Sequence, residues 1–311
     1  MERIWYHKVT DLQQGDTVEK ILKHVLGLTR KQISRVKFRE NGICVDGCRQ
    51  RSTNRLRAGE TLRVCLEEEK DSVQIEEMQG NLQVLYEDED LIAVEKPSGQ
   101  ICHPSGGHYR DSLANQLAGY FRSRQGGCVI RIVGRLDSDT SGIVIAAKNQ
   151  IAAQRLALQR KEGEFHKEYL ALVCGNFPSE SGEITGRIGV VQNHPLKMGI
   201  CDGGKEAKTH YQVRSSAGEY SLVQCTLDTG RTHQIRVHMA SIGHPLINDR
   251  LCGKGERDPF ASLVESRKEI QGDRHKQLGL HAGRVRFRQP FTGKIIEIES
   301  VCEFADWLSM L

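Results

Sequence analysis

No Cys-x-x-Cys pair occurs among the ten cysteines, and no apolar run approaches the ~20 residues of a membrane-spanning helix. Scattered thiols in a chain of this length read as reduced and cytoplasmic rather than as a disulfide framework. Cys44 and Cys48 stand close together, but no second Cys or His pair accompanies them. They read as small buried residues, not zinc ligands. The first twelve residues hold no apolar segment, so no secretory leader is expected there. Nucleotide-binding patterns fail as well. GICDGGK at 199–205 has phosphate-loop spacing, but Glu206 stands where Ser or Thr must hold magnesium. A Gly-rich hairpin loop is the expectation there. His233, His238 and His244 lack any metal-ligand spacing. No Gly-x-Ser-x-Gly elbow is present, nor a Gly-x-Gly-x-x-Gly after a strand. Neither a metal nor a nucleotide cofactor is expected.

Charge is unevenly spread. Between Lys20 and Arg63 stand 12 Lys or Arg against three acids, a net +9 within a chain of net +4. The rest of the chain is therefore mildly acidic, and the basic stretch suits a polyanion. Its pattern is that of a folded module. Asp16 or Thr17 can cap a helix with Val18, Ile21, Leu22 and Val25 on one face, ended by Gly27. Thr29 and Gln32 form a capping box for a second helix. Ile33 and Val36 point inward there, while Arg30, Lys31, Arg35, Lys37 and Arg39 cover other faces. Short strands are expected at 43–46 and 62–66, with a turn at Asp46-Gly47.

The stretch EEEKDSVQIEEMQGN is acidic and aperiodic. The chain is therefore divided into a basic domain over 1–72, an acidic linker over 73–81 and a larger domain over 82–311. Removal of the first domain is expected to expose little apolar surface. After the linker, strands outnumber helices without βα alternation. An α+β fold is expected, with a mixed, largely antiparallel sheet flanked by helices. Ser112 is expected to cap one helix, and AAQRLALQRK to form another.

Two segments carry candidate chemistry. GRLDSDTSGIVIAAKN at 134–149 places Arg135, Asp137, Asp139, Thr140 and Ser141 in a tight polar turn before an apolar strand. A carboxylate pinned to a buried strand is a good catalytic group, although a capped turn would look the same. DTGRTHQIRVHMASIGHPL at 228–246 suggests a helix capped by Thr232, with Ile235, Met239 and Ile242 facing the core and Gly243 ending it. His233 and Arg236 lie off that core face.

These segments resemble the RluA family of pseudouridine synthases, and further blocks follow in the same order. They are VLYEDEDLIAVEKPSGQICHPSG at 84–106, KEYLALVCG at 167–175 and GLHAGRVRF at 279–287. The first 70 residues resemble the small alpha-L RNA-binding domain of a ribosomal protein. The resemblance implies isomerisation of uridine within rRNA or tRNA, with RNA as partner, a monomer, and no cofactor or metal. Asp137 would act at the ribose, by attacking C1′ or by removing the 2′ proton. Tyr169 would stack on the flipped base, and Arg236 would pair with Asp137. Leu280 would wall the uracil pocket, or else simply pack the core. Arg135 would fill the space left by the flipped base, or contact a phosphate. Thr140 would join them in holding substrate, and Arg30, Lys31, Arg35, Lys37 and Arg39 would hold RNA. The family's motif usually begins with His, where this chain has Gly134, so another group would do that work or none would. The competing reading is a non-catalytic RNA-binding or ribosome-assembly protein. A zinc deaminase lacks its His/Cys ligand set here.

Overall fold

The computed structural model describes residues 2–67, 75–125, 129–191, 197–252, 277–302 and 304. Part of the expected linker lies outside the described residues. The chain begins with β1 (Glu2–Lys8), α1 (Val18–His24), α2 (Arg30–Phe38), β2 (Ile43–Val45), β3 (Cys48–Arg49) and β4 (Thr61–Glu67). These strands form one antiparallel sheet in the order β1-β4-β2-β3. The caps follow the sequence. Thr17 accepts from the Lys20 amide, and Thr29 and Gln32 close a capping box. Asp46 and Gly47, with φ of 46° and 81°, make the tight turn between β2 and β3. Strand β1 had no counterpart in the sequence pattern.

A second, 11-stranded sheet follows. Its elements are β5 (Val84–Glu87), β6 (Leu91–Lys96), α3 (Leu113–Gln125), β7 (Arg131–Val133), β8 (Ser141–Ala147), α4 (Gln150–Glu162), β9 (His166–Cys174), β10 (Ser181–Val190), β11 (Met198–Ile200), β12 (Lys205–Ala217), β13 (Tyr220–Leu227), α5 (Gln234–Ser241), β14 (Leu280–Arg288) and β15 (Ile295–Glu299). The main path runs β11-β10-β12-β13-β9-β14-β8-β6-β5, with β15 beside β14 and β7 beside β8. Among the described residues only β8 and β14 pair in parallel, so the expected mixed, largely antiparallel sheet is what forms. That pairing demands Gly142, because a Cβ there would lie 2.4 Å from the Ala282 carbonyl oxygen.

The central strands are covered on both faces. Leu91, Ala93, Ile143 and Ile145 pack with Ala152 and Leu156 of α4. The alternate residues Ile92, Val94, Val144 and Ala146 pack with Leu113, Leu117 and Phe121 of α3. This explains the unbroken apolar run of β8, where each buried Ile contributes about 2 kcal/mol.

Three expectations are corrected. First, GICDGGK is not a hairpin loop. Strands β11 and β12 flank β10 on opposite sides, so 201–204 crosses over the backbone of β10. A Cβ on Gly204 would meet Ile188 and Arg187 backbone carbons at 2.6 and 2.7 Å, which is why glycine stands there. Second, residues 76–78 are docked. Met78 donates its amide to the Asn115 carbonyl at 3.0 Å, and Asn115 Nδ2 donates to the Glu76 carbonyl at 2.6 Å. Arg110 and Arg122 pair with Glu76 and Glu77. Third, the N-terminal unit packs on α4. Ile151 and Phe291 join its hydrophobic core. Arg155 donates to the carbonyls of Val25, Leu26 and Pro290 and lies 5.8 Å from the Trp5 ring centroid. Removing the unit would therefore bare apolar surface.

Candidate active site

The turn before β8 lies where three strands meet. Strands β9, β14 and β8 are neighbours in the sheet, and they bring Tyr169, Leu280 and the 134–140 turn to one cleft of about 930 Å³. Arg135, Asp137, Thr140 and Arg236 line the same cleft. Strand neighbours thus unite residues more than a hundred positions apart in sequence.

The Asp137 turn is held from beneath. The Thr140 amide donates to the Asp137 carbonyl at 3.2 Å. Lys96 is fully buried, and its ammonium donates to the carbonyls of Pro97, Gln100 and Ser138 at 2.7 to 2.8 Å. Burial pulls its pKa down to about 8, yet three carbonyl acceptors surround the charge. The Cys102 thiol donates to the Leu136 carbonyl at 3.3 Å. One buried cation from β6 and one thiol therefore fix the backbone on either side of Asp137. At the strand end, Ser141 Oγ meets His281 Nδ1 at 2.9 Å, and His281 Nε2 meets Ser300 Oγ at 3.0 Å. Burial pushes His281 down to about 4, so it is neutral and serves as a bridge.

The cations around Asp137 differ from expectation. Arg236 donates both arms to Asp249, at 2.9 and 2.6 Å, and both side chains are buried. Its nearest other carboxylate is Asp139, at 3.9 Å. Among the described residues, the basic side chain within 4 Å of Asp137 is His233, whose Nε2 stands 3.9 Å from Oδ2. The Arg236–Asp137 pair implied by the resemblance is thus replaced by a buried Arg236–Asp249 pair set behind the turn. Burial alone would raise Asp249, but hydrogen bonds from Arg236 and from the Leu251 and Cys252 amides hold it below the usual carboxylate range. Asp249 carries no local sequence signal, because its partner lies 13 residues away across a turn.

Helix α5 also starts differently. His233, not Thr232, is its N-cap, with φ of 56° and no side-chain cap. The buried Gln234 shapes this turn instead, accepting from Thr229 Oγ1 and the Arg231 amide and donating to the Lys208 carbonyl. Ile235 and Met239 are buried as expected, whereas Ile242 is 40% exposed. The three histidines of this segment serve separate ends. His238 meets Thr209 Oγ1 at 2.9 Å, and His244 meets the Cys174 carbonyl and stacks on Phe177.

Across the cleft, Tyr169 and Leu280 form an apolar wall. Burial holds the Tyr169 phenol well above its usual range, so it enters as a ring and an O–H rather than as a phenolate. Lys167, two residues earlier on the same strand face, lies 5.9 Å from that ring centroid. Its buried Nζ has no acceptor among the described residues, and burial lowers it to about 7. Thr140 is buried and its Oγ1 is likewise without a partner, so it can serve a ligand. Arg135 is exposed at the rim. Gly134 adopts φ of 72°, and the guanidinium of Arg160 from α4 lies against it. On α2, Arg30, Lys31, Arg35 and Lys37 are exposed, Arg39 is half-buried, and Phe38 is exposed among them.

Comparison with known proteins agrees with this geometry. Residues 90–241 match the family model for RNA pseudouridylate synthase. A ribosomal large subunit pseudouridine synthase D of Nitrosomonas europaea is 33% identical over 83% of this chain and 73% of its own length. An uncharacterized RNA pseudouridine synthase of Bacillus subtilis, YhcT, is 34% identical over 79% and 76%. Among solved structures, human RNA pseudouridylate synthase domain containing 1 superposes with a TM-score of 0.56 at 27% identity, covering 77% of this chain and 89% of its own. The ordered sequence blocks, the shared fold and these relatives agree, and the chain belongs to the RNA pseudouridylate synthase family, in its RluA group.

Proposed function

We propose that this pseudouridine synthase modifies ribosomal RNA through Asp137. The observation that carries the reading is the placement of Asp137 opposite Tyr169 and Leu280 in one cleft, on a turn fixed by Lys96. A uridine flipped out of its stack would enter with its base against the Tyr169–Leu280 wall and its ribose toward Asp137. The C1′–N1 bond breaks, the base turns, and C1′ joins C5. The C5 proton leaves, and N1 gains one. Nothing else enters or departs, which fits the absence of cofactor patterns from the sequence. Asp137 acts at the ribose, by addition to C1′ or by taking the 2′ proton. Arg236 acts from behind through Asp249 and Asp139, while Thr140 and Arg135 hold substrate at the turn and rim. The ribosomal target is supported by the names of relatives such as the Nitrosomonas europaea enzyme.

The basic unit over 1–72 is the RNA platform of this reading, with Arg30, Lys31, Arg35, Lys37 and Arg39 contacting phosphates. The unit over 82–311 is the catalytic domain. Ten scattered cysteines with no Cys-x-x-Cys pair suit a cytoplasmic enzyme. In this reading the monomer is the working unit, and sedimentation at assay concentration checks it. The central test is a pseudouridine map of ribosomal RNA from cells with the wild-type gene, with Asp137→Asn and with no gene. One or more sites should vanish in both mutant strains, and purified Asp137→Asn should turn over at least roughly 10³-fold more slowly while binding RNA within a few-fold. Unchanged maps would remove the reading. Deuterium at C2′ of the target ribose separates the two roles of Asp137, giving a large primary isotope effect if the 2′ proton is removed in a rate-limiting step and a small secondary one if Asp137 adds to C1′.

A further inference from the structure

Arg160 is a cation of the cleft with no structural work. Arg160 lies in the last turn of α4 and faces the cleft, and no described residue offers its guanidinium a hydrogen bond or an ion pair. Two neighbouring arginines are already engaged. Arg236 is held by Asp249, and Arg231 Nε donates to the Glu206 carbonyl at 2.9 Å. Arg160 sits between two glycines. A Cβ on Gly134 would lie 3.5 Å from its NH1, and one on Gly230 would lie 3.1 Å from its NH2. The guanidinium therefore occupies a notch between the Asp137 turn and the turn that leads into α5.

The chemistry of the notch is specific. A free guanidinium offers five N–H donors in a planar fork and accepts nothing, so its ligand is an oxyanion. It is exposed at the lip, apart from the apolar wall of Tyr169 and Leu280 that suits a base. A nucleotide with its ribose at Asp137 must carry its phosphodiester out past the Asp137 turn, the segment that Arg160 flanks. Position 134 has no side chain to fill the notch, and α4 supplies a cation to it from a different part of the chain.

We propose that Arg160 binds a phosphodiester flanking the target uridine and thereby fixes the ribose against Asp137. The inference rests on the reading of this cleft as the isomerisation site. The test uses the full-length enzyme and a ribosomal RNA fragment that the wild type modifies. Two further fragments carry a single neutral methylphosphonate, one 5′ and one 3′ of the target. Wild-type turnover of the unaltered fragment checks the site reading independently. Arg160→Ala should lower kcat/KM by about 10- to 100-fold, mainly through KM, and Arg160→Lys by less. The slope of log kcat/KM against log salt should fall by about one unit. One methylphosphonate should slow the wild type by a similar factor and slow Arg160→Ala no further, because the contact is already lost. Losses that add fully at both phosphates, or an unchanged salt slope, overturn the proposal.

Discussion

Arg236 donates to both carboxylate oxygens of Asp249 inside the protein, at 2.9 and 2.6 Å, and stands only 3.9 Å from Asp139. The bidentate pair fixes the plane of the guanidinium, and its remaining arm then faces the turn that carries Asp137. Asp249→Asn leaves the buried Arg236 cation without its counter-charge. Breaking such a pair costs about 3–5 kcal/mol. The variant should show a melting temperature lowered by several degrees and a fall in kcat. The native pair also has a pH signature. The folded pKa of Asp249 is depressed, so its stabilisation is present above the unfolded value near 3.9 and is lost as pH falls through the folded one. Thermal melts of Asp249→Asn and wild type should converge below roughly pH 4, and parallel curves down to pH 2 would contradict the assignment.

Lys96 concerns the position of Asp137 rather than its chemistry. Lys96→Met keeps the length of the side chain but orphans the carbonyls of Pro97 and Gln100 and leaves that of Ser138 with the Gly99 amide alone. Unpaired buried acceptors cost about 1–3 kcal/mol each. The variant should fold less stably, and its kcat should fall by at least roughly tenfold with little change in RNA affinity. An equal loss of binding and turnover would speak for general unfolding instead.

Lys167 should behave in the opposite way. Its folded pKa, about 7, lies below the unfolded value near 10.4, so the protonated amine is disfavoured in the folded protein. That penalty is complete below pH 7 and fades as pH rises toward the unfolded value. Lys167→Met should therefore raise the melting temperature at pH 6 and raise it far less at pH 9.5. A gain independent of pH would mean that the amine is not buried in its charged form.

The N-terminal unit should be coupled to α4. Arg155 bridges Val25, Leu26 and Pro290, and Ile151 completes the core of the unit. Calorimetry of the wild type should show one cooperative transition, and Arg155→Ala should split or broaden it. Deleting 1–72 should reduce solubility unless Ile151 and Phe291 are made polar. Charge reversal at Arg30, Lys31, Arg35 and Lys37 should instead leave stability intact and flatten the salt dependence of RNA binding. Equal salt slopes for that variant and the wild type would mean that the unit serves protein contacts.

The sequence by itself determined whatever depends on near neighbours in the chain. Thr17, Thr29 and Gln32 set the helix starts because a cap needs only three residues. The positive φ of Asp46-Gly47 and the apolar run of β8 were legible for the same reason. Asp137, Tyr169 and Leu280 could be named from ordered blocks, but their meeting could not be derived from them. It depends on β9, β14 and β8 lying side by side, a pairing made by chain topology. The tertiary structure also decided each charge partnership. Arg236 chose Asp249 over Asp137, Lys96 gathered carbonyls from two loops, and Arg160 reached the space above Gly134. A buried charge is satisfied by whichever acceptor the fold brings within 3 Å, and in a many-stranded sheet that acceptor comes from any part of the chain. The docking of the N-terminal unit has the same origin. Its contact residues, Val25, Leu26 and Trp5, carry the pattern of an ordinary core, and only the presence of α4 against them turns part of that core into an interface.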